Sequence, residues 1–247
     1  MSAVIKVDNV SMMFNLSSEK IDSIKEYIIK MFKRQIHFQE FWALNDVSFE
    51  LEKGDSLGII GLNGSGKSTL LKIISGILKP TKGSVKTVGS IAPLIELGAG
   101  FDPDLSAREN IYLNGAILGY SREYMDSKFD EIIKFAELED FVDSAIKNYS
   151  SGMVARLGFA IAIDVEPQIL LVDEILSVGD ENFRKKCADK VQELREKGVT
   201  FVIVSHNMAQ VKQLCQKAIW IENSKVMAYG DASEVCDEYQ KYCNEKH

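Results

Sequence analysis

Apolar and polar residues alternate through "AVIKVDNVSMMF" at the start of the chain, the two-residue period of a strand with one covered face. The stretch "WALNDVSFELEKG" predicts a second strand, closed by a Gly turn. Between them the period changes. In "NLSSEKIDSIKEYIIKMFKRQIHFQE" the residues Ile21, Ile24, Ile28 and Met31 step by three or four, one face of an amphipathic helix, with Ser17 or Ser18 placed to cap it. Three short, largely apolar runs, 57–60, 169–172 and 200–204, then alternate with helical segments such as "KSTLLKIISGIL", 151–163 and 181–197. Strands of that kind sit inside a parallel sheet covered on both faces. Ser106 with Glu109 three residues later predicts a capping box, and 122–143 reads as mostly helical with mixed charge. "AIWIENSKVMAYG" predicts strand, turn and strand ahead of a final polar helix. The fold class is α/β with a mostly parallel central sheet.

Each of the three apolar strands ends in residues suited to chemistry, at the edge where open α/β sheets bind ligands. After the first, "GLNGSGKST" spaces Gly61, Gly66, Lys67 and Ser68 as in the Walker A phosphate loop. Gly61, Gly64 and Gly66 let the backbone N–H groups of this loop, Asn63 and Ser65 included, wrap a phosphate chain without Cβ clashes. The helix that follows points its positive end at the same anion. Lys67 reaches the β- and γ-phosphates, the Ser68 hydroxyl is placed to ligate Mg²⁺, and Thr69 is a weaker candidate for a phosphate contact. A chance Gly-rich turn is the alternative; the strand before and the helix after argue against it.

The second strand, "ILLVDE", ends in Asp173 and Glu174. Two adjacent carboxylates beside a dry core are costly without a cation, which favours a metal site over a structural one. Asp173 would hold Mg²⁺ directly or through water, and Glu174 would polarise the attacking water as general base. The third strand closes on "VIVSHN", where His206 is placed to contact the γ-phosphate and help position that water. The three strand ends together predict a nucleotide hydrolase using ATP and Mg²⁺.

Composition narrows the setting. Hydrophobic residues make up 46% and charged residues 26% of the chain, ordinary for a globular domain with a sizeable core. A net charge of -7 argues against a general nucleic-acid binder, which would show a basic surface. Cys187, Cys215, Cys236 and Cys243 lack CxxC spacing and read as thiols in a reducing compartment. The N-terminus has no signal-peptide core, and no run of about eighteen apolar residues occurs, so a cytoplasmic chain without a membrane span is expected.

With these motifs in order, "YSSGM" at 149–153 gains a meaning, because it opens a helix shortly before the Asp173 strand. The whole chain resembles the nucleotide-binding domain of ABC transporters, whose Leu-Ser-Gly-Gly-Gln signature occupies that place. Aligned so, Ser150 matches the family's Ser, and Ser151 and Gly152 match its two glycines. The resemblance implies one ABC-type domain over 1–247, with an antiparallel N-terminal β subdomain, an insertion near 15–40, a helical signature subdomain near 97–160 and a tail near 225–247. It also implies a head-to-tail homodimer holding two ATP molecules between phosphate loops and signatures, with Asp180 of "SVGD" in the D-loop. Adenine stacking falls to Phe14 or Trp42, with Phe14 preferred. The Q-loop glutamine is missing; Glu96 lies near its place and is the remaining candidate toward Mg²⁺. With Lys67, Asp173, Glu174 and His206 intact, slow but real turnover is expected.

Four stretches resemble one subgroup more closely: "LIELGAGFDPDLSARENIYLNGAILG", "YSSGMVARLGFAIA", "DEILSVGD" and "VSHNM" are similar to ATPases that export lipid-linked polysaccharides, O-antigen and wall teichoic acid among them. That subgroup works with a membrane-spanning permease, so the expected place is the cytoplasmic face of the cell membrane, with the lipid-linked glycan handled through the permease. No C-terminal carbohydrate-binding module is expected. Within the insertion, Lys25, Lys30, Lys33 and Arg34 fit a helix near the membrane surface, preferred over the alternative of a helix packed on its own domain with a solvated face. Rival readings are a soluble ABC ATPase and an ATP-gated scaffold that does not turn over.

Overall fold

The computed structural model describes residues 3–17, 38–95, 97–173 and 179–245. The expected helix within 21–34, Glu96 and Glu174 lie outside the described residues. The chain opens with β1 (Ala3–Ser17), β2 (Phe38–Glu52), β3 (Ser56–Ile60), α1 (Lys67–Ile74), β4 (Lys82–Thr87) and β5 (Ile91–Leu94). The helices α2 (Ala107–Ile117), α3 (Arg122–Ala136) and α4 (Ser151–Asp164) follow. Then come β6 (Ile169–Asp173), α5 (Glu181–Glu196), β7 (Thr200–Val204), α6 (Met208–Leu214), β8 (Lys217–Glu222), β9 (Lys225–Asp231) and α7 (Ala232–Glu245).

Two sheets form. One is antiparallel in the order β2-β1-β4; the other has six strands in the order β5-β6-β7-β3-β8-β9. Within the larger sheet every neighbouring pair is parallel except the β8–β9 hairpin. The apolar runs owe their composition to alternation between two cores. In β7, Phe201 and Ile203 face one cluster with Phe159, Phe183 and Trp220, while Val202 and Val204 face another with Ile5, Leu51, Leu57 and Leu70. With both faces buried, a central strand has no position at which a polar side chain would be solvated.

The helices α2, α3 and α4 gather a third cluster around Ile111, Ile132 and Leu157. The capping box at the head of α2 is present: the Ser106 hydroxyl accepts from the Glu109 N–H, and the Glu109 carboxylate accepts from the Ser106 N–H at 2.8 Å. The first two strands are longer than their alternation alone marks. Pairing carries β1 and β2 outward through Phe14↔Phe41, Asn15↔Glu40 and Leu16↔Gln39. This extension matters for the site, because it brings residues before Trp42 next to Phe14.

Candidate nucleotide site

The phosphate loop is built where β3 stops and α1 begins. Gly66 precedes the helix at φ 107, a backbone angle that L side chains rarely adopt, and a Cβ there would lie 2.3 Å from the Ala43 carbonyl oxygen. Gly61 approaches its neighbour as closely: a Cβ would lie 2.0 Å from the Ile221 oxygen. These two glycines let the loop nest between β2 and β8. No side chain caps α1. The first-turn N–H groups of Lys67, Ser68 and Thr69 have no intrahelical acceptor and open onto the cavity beside them.

Lys67 is buried, and its ammonium donates to the Gly61 carbonyl at 3.0 Å and the Leu62 carbonyl at 2.8 Å. The side chain thus spans the loop from behind while its charge stays at the cavity wall. That cavity has a volume of about 320 Å³. Asn63, Gly64 and Gly66 line it from the loop and Lys67, Ser68 and Thr69 from the helix. Asp173, Val204 and His206 close it from the ends of β6 and β7. Since Asp173 pairs with Val204 across the parallel ladder, the carboxylate and the imidazole come from adjacent strand ends.

The remaining wall is aromatic. Phe14 lines the cavity, and so does Phe41, its direct partner across the β1–β2 ladder. Phe41 is a site residue that the sequence reading missed. The stretch "FQEF" before Trp42 carries no two-residue period of its own, and Phe41 becomes legible only once pairing extends β2 to Phe38. Trp42, the other adenine candidate, is not among the residues lining this cavity. Successive side chains on a strand point to opposite faces, so the neighbour of Phe41 is turned away, and the Lys82 ammonium lies 5.1 Å from the Trp42 ring centre.

Other expected residues sit elsewhere in the single chain. Gly61 and Ser65 support the loop from behind; Ser65 borders a second cavity together with Glu222 and Asn223, with its hydroxyl buried. Ser150 caps α4, accepting from the Met153 N–H at 3.2 Å, which leaves Ser151 exposed in the first turn and Gly152 where a Cβ would meet only the Ser150 hydroxyl, at 3.8 Å. The Tyr149 hydroxyl ties this helix start to the Phe141 carbonyl at 2.6 Å. None of 149–153 lines the phosphate-loop cavity of the same chain. Asp180 caps α5 through the Phe183 N–H at 2.9 Å and pairs with Arg156 of α4 at 2.6 Å. The backbone hydrogen bond from Phe183, with Arg156 adding to it, holds the Asp180 carboxyl below the usual carboxylate range.

Chemically, the cavity combines backbone N–H donors, an ammonium, two hydroxyls, one carboxylate, one imidazole and two phenyl rings. That set suits a ligand with a polyphosphate at one end and an aromatic base at the other.

Known proteins agree with this geometry. Residues 44–177 match the family model described as ABC transporter. The chain is 42% identical over 243 residues to an O-antigen export system ATP-binding protein, RfbB, of Klebsiella pneumoniae, covering 98% of this chain and 99% of that one. It is 41% identical over 242 residues to a teichoic acids export ATP-binding protein, TagH, of Bacillus anthracis, covering 98% of this chain and 43% of that longer protein. Among solved structures, an ATP-binding subunit of an ABC transporter superposes with a TM-score of 0.74 at 21% identity, covering 96% of this chain and 93% of its own. A dimeric bacterial ABC transporter cassette, MJ0796, superposes with a TM-score of 0.71 at 25% identity, covering 92% and 98%. The chain belongs to the ABC transporter family and is an ABC-type ATPase.

Proposed function

We propose that this chain is the ATP-hydrolysing subunit of an exporter that moves a lipid-linked polysaccharide across the cytoplasmic membrane. The observation that carries the cargo is the 42% identity to the O-antigen export protein over nearly the full length of both chains. The teichoic acids export relative supports the same cargo class. ATP binds with its phosphates on the Gly61–Thr69 loop and its base on Phe14 and Phe41. His206 contacts the γ-phosphate, and Glu174 takes the proton of the attacking water. Ser68 and Asp173 would hold Mg²⁺, with Glu96 as a further candidate. One hydroxyl and one carboxylate suit that ion, which keeps several waters and takes its other ligands from phosphate. The bound ion would neutralise charge on the β- and γ-phosphates.

Turnover needs a second copy. The start of α4 presents the Ser150-capped amides away from its own phosphate loop, so it completes the site of a partner chain in a head-to-tail homodimer. The D-loop Asp180 stands beside it, tied to α4 by Arg156. No helix among the described residues is long and apolar enough to cross a membrane, so transport falls to a separate permease at the cytoplasmic face. A groove lined by Ile95, Leu97, Phe101 and Ile117, with Ile77 at its edge, offers an apolar seat for the permease.

The test has two arms. Glu174→Gln should keep ATP binding, trap the closed dimer and lower turnover by about 10²-fold or more. Near-normal hydrolysis would remove Glu174 from its role. Affinity purification from detergent-solubilised membranes, read by mass spectrometry, should return a polytopic membrane protein with a polyprenyl-linked glycan. Recovery only from the soluble fraction would favour a soluble ABC ATPase instead.

A further inference from the structure

Glutamate is an unexpected residue at position 137. It follows the last turn of α3 with φ 59 and ψ 48, the left-handed cap at which glycine is the usual residue, and its N–H donates to the Ile133 carbonyl. A carboxylate at a helix C-terminus also meets the negative end of the macrodipole. Backbone and dipole both oppose it, so the reason for a glutamate lies in what its side chain reaches.

That side chain joins cations from two other helices. Its Oε2 accepts from Arg156 of α4 at 2.9 Å, and its Oε1 from Lys186 of α5 at 3.2 Å. Both cations lie over an aromatic cluster to which α3, α4 and α5 each give a ring, Phe135, Phe159 and Phe183. The Arg156 guanidinium stands 4.7 Å from the Phe183 ring centre, and the Lys186 ammonium 4.7 Å from that of Phe135. Arg156 is held on every side that matters for its direction. Its face rests on Phe183, one terminal nitrogen goes to Glu137, and the other goes to Asp180 at 2.6 Å. The D-loop backbone closes in at the Nε edge, where a Cβ on Gly179 would lie 3.3 Å away. A guanidinium is planar, so holding one terminal nitrogen aims the other.

We infer that Glu137 is a positioning residue for ATP hydrolysis: by aiming Arg156 at Asp180, it fixes the helix that carries the signature relative to the D-loop. The inference rests on the head-to-tail dimer proposed above, in which both segments act on the partner's nucleotide. Glu137 does not line the nucleotide cavity, so its effect falls on turnover and leaves ATP binding alone. It is half-exposed, and ion pairs of that kind add little to stability. A glycine in its place would lose them and relax the left-handed backbone, two changes of opposite sign.

The test is steady-state ATP hydrolysis by the full purified chain, with thermal unfolding measured alongside. Glu137→Gly gives the cap its usual residue and removes the carboxylate. Its kcat should fall about fivefold, the scale of one half-exposed charged hydrogen bond. KM for ATP should be unchanged, and the unfolding temperature should stay within about 2 °C of the parent. A plain helix cap would show the reverse, a lower unfolding temperature at parental kcat, and that result would overturn the inference. Lys186→Gln removes the other partner of Glu137 and leaves Arg156 in place, so it should keep at least half of the parental kcat. A loss equal to that of Glu137→Gly would show that the tie to α5 matters in its own right, and not the aim of Arg156. Parental kcat in Glu137→Gly defeats this inference and leaves the ATPase reading standing, whereas no turnover by the parent chain would defeat both.

Discussion

The phosphate loop offers a paired perturbation whose two members differ in geometry and little else. Gly64 and Gly66 lie two residues apart, both with positive φ, at 79° and 107°. A Cβ at Gly64 meets nothing within 4 Å. Gly64→Ala therefore carries only the left-handed backbone penalty, about 1 kcal/mol. For a chain of this length that is a loss of roughly 2–4 °C in unfolding temperature. A Cβ at Gly66 would lie 2.3 Å from the Ala43 carbonyl oxygen and 2.8 Å from the Leu44 Cδ2 atom. Leu44 is fully buried and Ala43 nearly so. Neither can yield without moving β2, so an overpacking cost adds to the backbone penalty and the total reaches about 3 kcal/mol or more. Gly66→Ala should thus unfold roughly 6–12 °C below the parent. The assay is thermal unfolding of the nucleotide-free proteins, since a bound phosphate would add its own contacts at Gly64. Equal unfolding temperatures for the two variants would show that the fit of the loop against β2 is not what requires glycine at 66.

Phe14→Ala and Phe41→Ala should each weaken ATP binding by about 5- to 30-fold, the scale of one base-stacking contact, with Trp42→Ala close to the parent; titration with a fluorescent ATP analogue ranks the three, and equal losses would sink the two-ring wall. Burial holds the Asp164 carboxyl above the ordinary carboxylate range, so the stability it costs is absent below that range and grows as pH rises through the raised value. Asp164→Asn should therefore unfold about 2–4 °C higher than the parent at neutral pH and gain nothing in acid, as pH-resolved thermal scans would show. Burial pushes the Cys187 and Cys215 thiols up to about 12, and Cys236 is fully buried. Alkylation of the native protein should reach the half-exposed Cys243 first, as intact-mass and peptide spectra can test; early labelling of Cys187 would contradict the packing under α5.

The parts of the site that the sequence disclosed are those written in local chemistry. The loop 61–69 needs its glycines for backbone reasons that act within a few residues, and the strands holding Asp173 and His206 are marked by burial on both faces. The Ser106 box is likewise a four-residue event. Phe41 escaped because its place depends on pairing between strands separated by the whole insertion. The pattern "FQEF" is too short to mark a strand, and only the match with Asn15, Phe14 and Met13 fixes which face it shows. Asp164 escaped for the opposite reason: "AIAID" reads as the apolar end of a helix, and nothing local reveals that its carboxylate is buried between two other helices.

The signature shows a limit of another kind, and it concerns how this machine is divided. Ser150 is used up locally in capping α4, and Tyr149 in anchoring the helix start, so both residues are accounted for within one chain. What remains is a helix start with Ser151 exposed and with Gly152 meeting only the Ser150 hydroxyl. The phosphate-loop cavity is walled by β1, β2, α1 and two strand ends, and among the described residues no second helix start lines it. In the head-to-tail dimer proposed above, these two half-sites of one chain would each be completed by the partner chain. On that reading Arg156 has a mechanical role, because it ties the helix that carries the signature to the Asp180 cap of α5. ATP at one site would then bear on the geometry of the other, and a dimer with one Glu174→Gln copy should lose more than half of its turnover.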